Sequence, residues 1–137
     1  MVIGIPLLSR SRGHYPQNGK PPENAALLDG SRTSRDGLRI AGISGIIGDP
    51  KRSNRRTAED FGLTVEPLAE ERPDILVLHQ GPDRRQHPDP TVANALARGR
   101  NLFVICGHSP WPDPLLEWGE GCQAINVDGR VVVLEAG

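Results

Sequence analysis

The stretch PDILVLHQGP, residues 73–82, decides how the rest of the chain is read. Its centre, Ile75 to Leu78, is an unbroken apolar run bounded by Pro73 on one side and Gly81-Pro82 on the other. A run this short and without polar alternation predicts a strand covered on both faces, as in sheets with helical crossovers. The run ends on His79. Further along, NLFVICGH (101–108) repeats the pattern, with a buried strand over 101–107 that ends on Gly107-His108.

Helical patterns flank the first strand on both sides. TAEDFGLTVEPLAEERP (57–73) reads as a helix, because Thr57 with Asp60 makes a capping-box pattern and Phe61, Val65 and Leu68 share a face. Gly62 and Pro67 weaken or split that helix, and Pro73 ends it. After a loop, GPDRRQHPDP (81–90), the pair Asp89-Pro90 starts a second helix with Val92, Ala95 and Leu96 inward and Gly99 as its C-cap.

Upstream, Asp29-Gly30 and Asp36-Gly37 suit tight hairpin turns, so 25–44 predicts a small antiparallel meander with LRIAGIS (38–44) as its most buried strand. GIIGDPKRSNRR (45–56) reads as a glycine-rich basic loop. QAINVDGRVVVLEA (123–136) predicts a closing hairpin turned at Asp128-Gly129. Residues 1–23 read as an irregular N-terminal segment. MVIGIPLL offers a buried strand there, but SRSRGHYPQNGKPPEN has the composition of a loop. The order strand, helix, strand, helix, strand, hairpin defines an α/β domain with a mixed β-sheet and flanking helices.

Bulk composition narrows the function classes. With 137 residues, 16 basic and 17 acidic, the formal net charge is −1. That balance argues against a dedicated nucleic-acid or membrane-surface binder. An aromatic content of 4% argues against a stacking platform for single strands. Cys106 and Cys122 are too few and too isolated for a disulfide framework. The apolar opening lacks a basic flank and is too short for a signal core or a membrane span. The expectation is a soluble protein of the cytoplasm.

The chemistry is expected where the two strands end. In open sheets with helical crossovers, ligands gather beyond the carboxyl ends of the strands. Two imidazoles delivered there by neighbouring strands can share one metal ion. The bland alternative is that each histidine caps its strand and hydrogen-bonds a loop.

GLRIAGISGIIGDP (37–50), PDILVLHQGP (73–82), VICGHSPWPDPL (104–115) and QAINVDGRVVVL (123–134) together resemble the C-terminal half of calcineurin-like metallophosphoesterases. The resemblance covers roughly residues 24 to 135 in four ordered motifs. It implies a partial metallophosphoesterase-type sandwich over 24–137 and a hydrolase chemistry on phosphate esters. Two divalent ions (manganese, zinc or iron) would hold a bridging hydroxide and the phosphate oxygens. By position, His79 and His108 match two histidines of that metal site. The family's closing turn reads Gly-His-x-His, and here Pro110 stands where the second histidine belongs. Its Asp-x-His, Gly-Asp and Gly-Asn-His-Asp motifs have no counterpart in this sequence. A zinc- or manganese-like ion normally takes at least three protein ligands. The expectation is therefore a truncated chain, a pseudoenzyme with weak or absent metal binding and little turnover alone.

Other residues compete for a role. Lys51, Arg52, Arg55 and Arg56 concentrate four cations in KRSNRR; they guide phosphate or form a solvated loop, and Arg55 is a candidate for the substrate pocket. Trp111 and Trp118 flank the His108 turn, where they wall a pocket or cover a sheet edge. Asn126 joins Arg55 and Trp111 as a pocket candidate, and with Asp128 it supports a ligand loop. Cys106 reads as core, His87 as an exposed loop residue, and Asp49 as a turn former. GISGIIG matches neither the dinucleotide fingerprint nor the P-loop.

Three functions remain. The chain is one half of a metallophosphoesterase completed by a second chain, a non-catalytic binding or regulatory module, or a small metal- or phosphate-binding protein. Half a sandwich leaves an apolar face open, so a second chain or a homo-oligomer is expected to cover it.

Overall fold

The structure, a computed structural model, describes residues 2–4, 25–82 and 90–135. The described chain is an α/β fold built on a mixed six-stranded sheet with two helices. The central strands are β4 (Leu38–Ile43), β7 (Ile75–Gln80), β8 (Phe103–Gly107) and β10 (Cys122–Asn126), mutually parallel and adjacent in that order. Antiparallel strands close both edges: β3 (Ser31–Arg35) beside β4, and β9 (Leu115–Trp118) beside β10.

Helix α1 (Ala58–Glu70) connects β4 to β7, and α2 (Pro90–Leu96) lies between β7 and β8. Because strand order follows sequence order, right-handed crossovers put both helices on the same face of the sheet. One register row shows the result. Ala41, Leu76, Val104 and Ala124 are partners across four strands, and all are buried in a single cluster with Phe61, Val65 and Leu68 of α1 and Val92, Ala95 and Leu96 of α2.

Each helix has a local cause. The Thr57 hydroxyl accepts the Asp60 N–H at 3.1 Å and caps α1. The Asp60 carboxylate does not return to Thr57 but takes the Arg56 guanidinium at 2.7 Å. Helix α1 runs unbroken through Gly62 and Pro67. Pro67 removes only the bond to the Leu63 carbonyl, and Leu63 is on the exposed side, 66% accessible, where water replaces the lost donor. Pro90 begins α2, where its missing N–H costs nothing.

Four further expectations, on turns and strand pairing, need correction. First, Asp36-Gly37 does form the β3–β4 turn, with both residues at positive φ (51° and 81°), as a two-residue hairpin requires. Asp29-Gly30, however, joins no pair of partnered strands: β2 (Ala25–Leu27) pairs with β1 (Val2–Gly4) in a separate parallel ribbon, so there is no three-stranded meander. Second, the stretch 45–56 is not simply a loop. It contains a short parallel pair, β5 (Ile46–Ile47) with β6 (Arg55–Arg56).

Third, the closing hairpin is β9–β10, turned at positive-φ Gly119 and Gly121, and not the pair about Asp128-Gly129. The Asp128-Gly129 turn exists, with Arg130 N–H donating to Val127 C=O, but residues 131–135 form no strand after it. Once β9 takes the antiparallel side of β10 and β8 the parallel side, no edge remains for a returning strand. Fourth, Gly99 is not a left-handed cap; positive φ falls on Asn101 (52°). Gly99 is required for space, because a Cβ there would overlap the buried Leu102 side chain.

The second face of the sheet is covered unevenly. Leu28 packs on Ile40 and Val77 as a small cluster of its own, and a Cβ on Gly42 would lie 2.7 Å from the Val77 carbonyl oxygen and 3.0 Å from Leu28. Farther along the same register row, Ile105 and Ile125 are only half-buried and Leu115 is 43% exposed. Strand β8 is thus fully buried on its Val104 and Cys106 side alone, not on both sides as its apolar run suggests. Among the described residues no helix is long and apolar enough to cross a membrane.

Candidate functional site

Parallel pairing of β7 and β8 brings their carboxyl ends together, and with them His79 and His108. The two rings lie 5.2 Å apart between centroids, inclined at 48°. The ladder is irregular here: Leu78 pairs with Cys106 and Gln80 with Gly107, so His79 sits at a register shift. A bulge at a strand end re-aims a side chain without disturbing the sheet below it. His108 follows β8 directly and holds φ at 77°, a conformation residues with a Cβ rarely adopt.

That strained turn is secured from β10. Buried Asn126 donates its Nδ2 to the Ser109 carbonyl at 2.8 Å, and its Oδ1 accepts the Asp128 N–H at 3.0 Å. Arg130 donates to the Trp111 carbonyl at 2.6 Å. The residues after His108 are therefore held at Ser109 and at Trp111. Asn126 has both ends of its amide engaged, to Ser109 and Asp128, so it shapes the turn that follows His108. Trp111 is buried against the helix-side core, beside the position where a Cβ on Gly81 would fall, and so covers the sheet. Trp118 is partly buried on the same cluster from the edge strand β9.

Gln80, which the sequence reading passed over, holds the other wall. Its Oε1 accepts the Ile47 N–H at 2.7 Å, binding the β5–β6 ribbon to the end of β7. Only its place beside His79 could have signalled this. The ribbon presents two adjacent arginines with different surroundings. Arg56 is anchored to Asp60 (2.7 Å), Asp29 (2.6 Å) and the Ser44 carbonyl (3.1 Å). Arg55 is half-buried over Gly48, with no hydrogen bond or ion pair to the described residues, and its charge reaches His108. Asp49 forms a turn, accepting the Lys51 N–H at 3.0 Å.

Both imidazoles are held below the usual histidine pKa. For His79 the largest cause is burial, followed by the neighbouring His108, against an opposing pull from Asp128. For His108 burial again leads, followed by the Arg55 charge, with Asp128 opposing. At neutral pH each ring is an uncharged nitrogen ligand or a single N–H donor.

Two imidazoles are the start of a metal site. Among the described residues, however, no group of three or more His, Cys, Asp or Glu side chains is arranged to hold an ion. Cys106 is buried core and Cys122 a buried thiol near the Gly99 carbonyl, at 3.4 Å. His87 lies outside the described residues. A cleft of about 510 Å³ lies near the amino end of β7, away from His79, lined by Arg32, Ser34, Arg39 and Glu71 among others. Its two arginines are already paired, Arg32 with Glu71 and Arg39 with Asp74.

The fold and site define an α/β domain with a histidine pair at the carboxyl edge of a parallel sheet and an arginine beside it. The chain matches no protein-family model, no curated protein and no solved structure.

Proposed function

We propose that this chain is a metallophosphoesterase-type module that carries the two-histidine part of a metal–phosphate site and does not turn over phosphate esters by itself. The observation that carries the reading is the meeting of His79 and His108, delivered by adjacent parallel strands to within 5.2 Å of each other. The order of the four family-like motifs along the chain supports it, since three of them end or turn beside this pair.

For a divalent ion of the manganese, zinc or iron kind the described residues offer two protein ligands, His79 and His108, and would hold it weakly at best. Such an ion would polarise a phosphoryl oxygen. Two neutral nitrogens fall short of the three protein ligands such ions normally take, and they supply no bridging carboxylate for a second. Hydrolysis therefore requires ligands beyond those found among the described residues. A second reading, a non-catalytic binding or regulatory module, is favoured by the lack of a third ligand among the described residues.

Manganese binding and hydrolysis of a generic phosphodiester, measured on wild type and on His79→Ala, test the proposal. Weak manganese binding that disappears in His79→Ala, with no hydrolysis by either, is the expected result. Strong turnover by the lone wild-type chain, abolished by the substitution, overturns the claim of incompetence. Absence of any manganese binding overturns the metal reading and leaves the binding module.

A further inference from the structure

Two consecutive arginines on one short strand meet different fates. Successive side chains of a strand point to opposite sides. Arg56 is turned into a cage of two carboxylates and a carbonyl, whereas Arg55 has no anion among the described residues. A half-buried guanidinium has lost part of its hydration and, without a partner, has nothing in exchange.

The position of Arg55 is built, not incidental. Its stem rests on Gly48, where a Cβ would lie 2.8 Å from its Cδ and 3.1 Å from its Nη1, so any other residue at 48 would displace it. The ribbon that carries it is fixed at several points: Ile46 N–H to Asn54 C=O (3.0 Å), Gly48 N–H to Arg56 C=O (2.9 Å), and Ile47 N–H to Gln80 Oε1 (2.7 Å). Gln80 is the neighbour of His79, so the same contact that fixes the ribbon places Arg55 at the histidine edge.

We propose that Arg55 is the phosphoryl anchor of this site and that, with the N–H donors of His79 and His108, it binds phosphate directly with no metal ion present. The inference rests on the phosphoesterase-type reading for its ligand class, and on the geometry for its residue. A guanidinium offers a planar fork that matches two phosphate oxygens, which a point charge cannot do. Lys51 and Arg52, exposed on the loop that the ribbon closes, add attraction without geometry. The Asp128 carboxylate opposes them, so the binding is weak but saturable.

The test is a titration of inorganic phosphate into the EDTA-treated chain at constant ionic strength, followed by amide and side-chain NMR shifts. Saturable changes at Gly48, Arg55 and His108 are expected. Arg55→Met keeps the stem on Gly48 and removes the charge, and it should weaken binding about tenfold or more; Arg55→Lys should recover part of the loss. Arg52→Ala, on the exposed loop, should change affinity at most about twofold. No saturable binding in EDTA, or equal losses in Arg55→Met and Arg52→Ala, overturns the proposal; circular dichroism establishes that each variant is folded. A parallel manganese titration separates the two readings. Manganese uptake without phosphate binding in EDTA sinks the anchor and spares the metal site, whereas phosphate binding without manganese uptake does the reverse.

Discussion

His108 holds a backbone conformation that would suit glycine, and it does so at the point where the two strand ends meet. For a residue with a Cβ, that conformation costs on the order of 1 kcal/mol, and it persists because Asn126 and Arg130 hold the residues that follow it, at Ser109 and Trp111. His108→Gly should therefore raise the melting temperature by a few degrees while removing ligand binding, a separation that thermal melts and a manganese titration would reveal. Loss of stability instead would show that the ring contact with His79 outweighs the strain. The imidazole pair also sets a pH dependence. Both folded-state pKa values lie below the unfolded value of about 6.5, so the unfolded chain binds more protons as pH falls. Stability is then complete above pH 6.5 and declines below it, down to the folded pKa values. Melting temperature should drop as pH falls below about 6.5, and His79→Gln should flatten that slope. The carboxylates act in a lower window. Asp29 is held below 3.8 because the Ser44 hydrogen bonds and Arg56 outweigh its burial, and Asp74 is lowered chiefly by the backbone and side chain of Arg39. At this scale the histidine pair was legible from the sequence, because two apolar runs with the same ending predict adjacent strands. The difference between Arg55 and Arg56 was not, since both stand in one run of charge and only their neighbours in space separate them.

Helix α1 shows how an element can override a local rule. Pro67 removes one internal hydrogen bond, yet Phe61, Val65, Leu68 and Ala69 are all buried along one face, and that burial holds the helix together across the break. Four inward side chains outweigh one lost bond. Pro67→Ala should restore the N–H to Leu63 C=O bond and stabilise the chain by about 1–2 kcal/mol. Lost rigidity of the unfolded chain offsets part of the gain. Thr57→Ala should cost about 1 kcal/mol by freeing the Asp60 N–H at the cap. Urea denaturation of the two variants would measure both effects, and a destabilised Pro67→Ala would mean that the proline's restriction of the unfolded chain outweighs the restored bond. Both helices were readable from the spacing of their inward residues and from their start signals, Thr57 and Pro90, but not from the expected cap at Gly99. The closing hairpin was misplaced because Asp128-Gly129 carries a stronger turn signal than the Gly119–Gly121 turn that is used. Turn chemistry alone reports where a chain bends, not which strands then pair. Pairing was decided by the parallel partner β8, whose Phe103 to Cys106 align with Gln123 to Asn126 and leave β10 one free edge for β9.

The whole sheet is unequal on its two faces, and that inequality follows from its connectivity. Sequential parallel strands with right-handed crossovers send both helices to one side. On the other side, Leu28 buries Ile40 and Val77, while the continuation of the row is half-buried at Ile105 and Ile125 and exposed at Leu115. Ile75 and Phe103 are half-buried on the same face. Contiguous apolar surface of this kind mostly marks an interaction site, and a metallophosphoesterase-type sandwich would place a second sheet there. In a solution of the purified chain, another copy can cover that surface, which the described residues leave open. Light scattering should therefore show association that increases with concentration. Ile125→Glu, on the half-exposed part of the row, should shift the chain toward monomer with a melting temperature within a few degrees of wild type measured at high dilution. Helix-side substitutions such as Val104→Glu should unfold the chain instead, because that row is fully buried. A wild-type chain that stays monomeric at every concentration would mean that the open face is not a docking surface. The second-sheet expectation would fall with it, while the histidine pair at the sheet's edge would be unaffected.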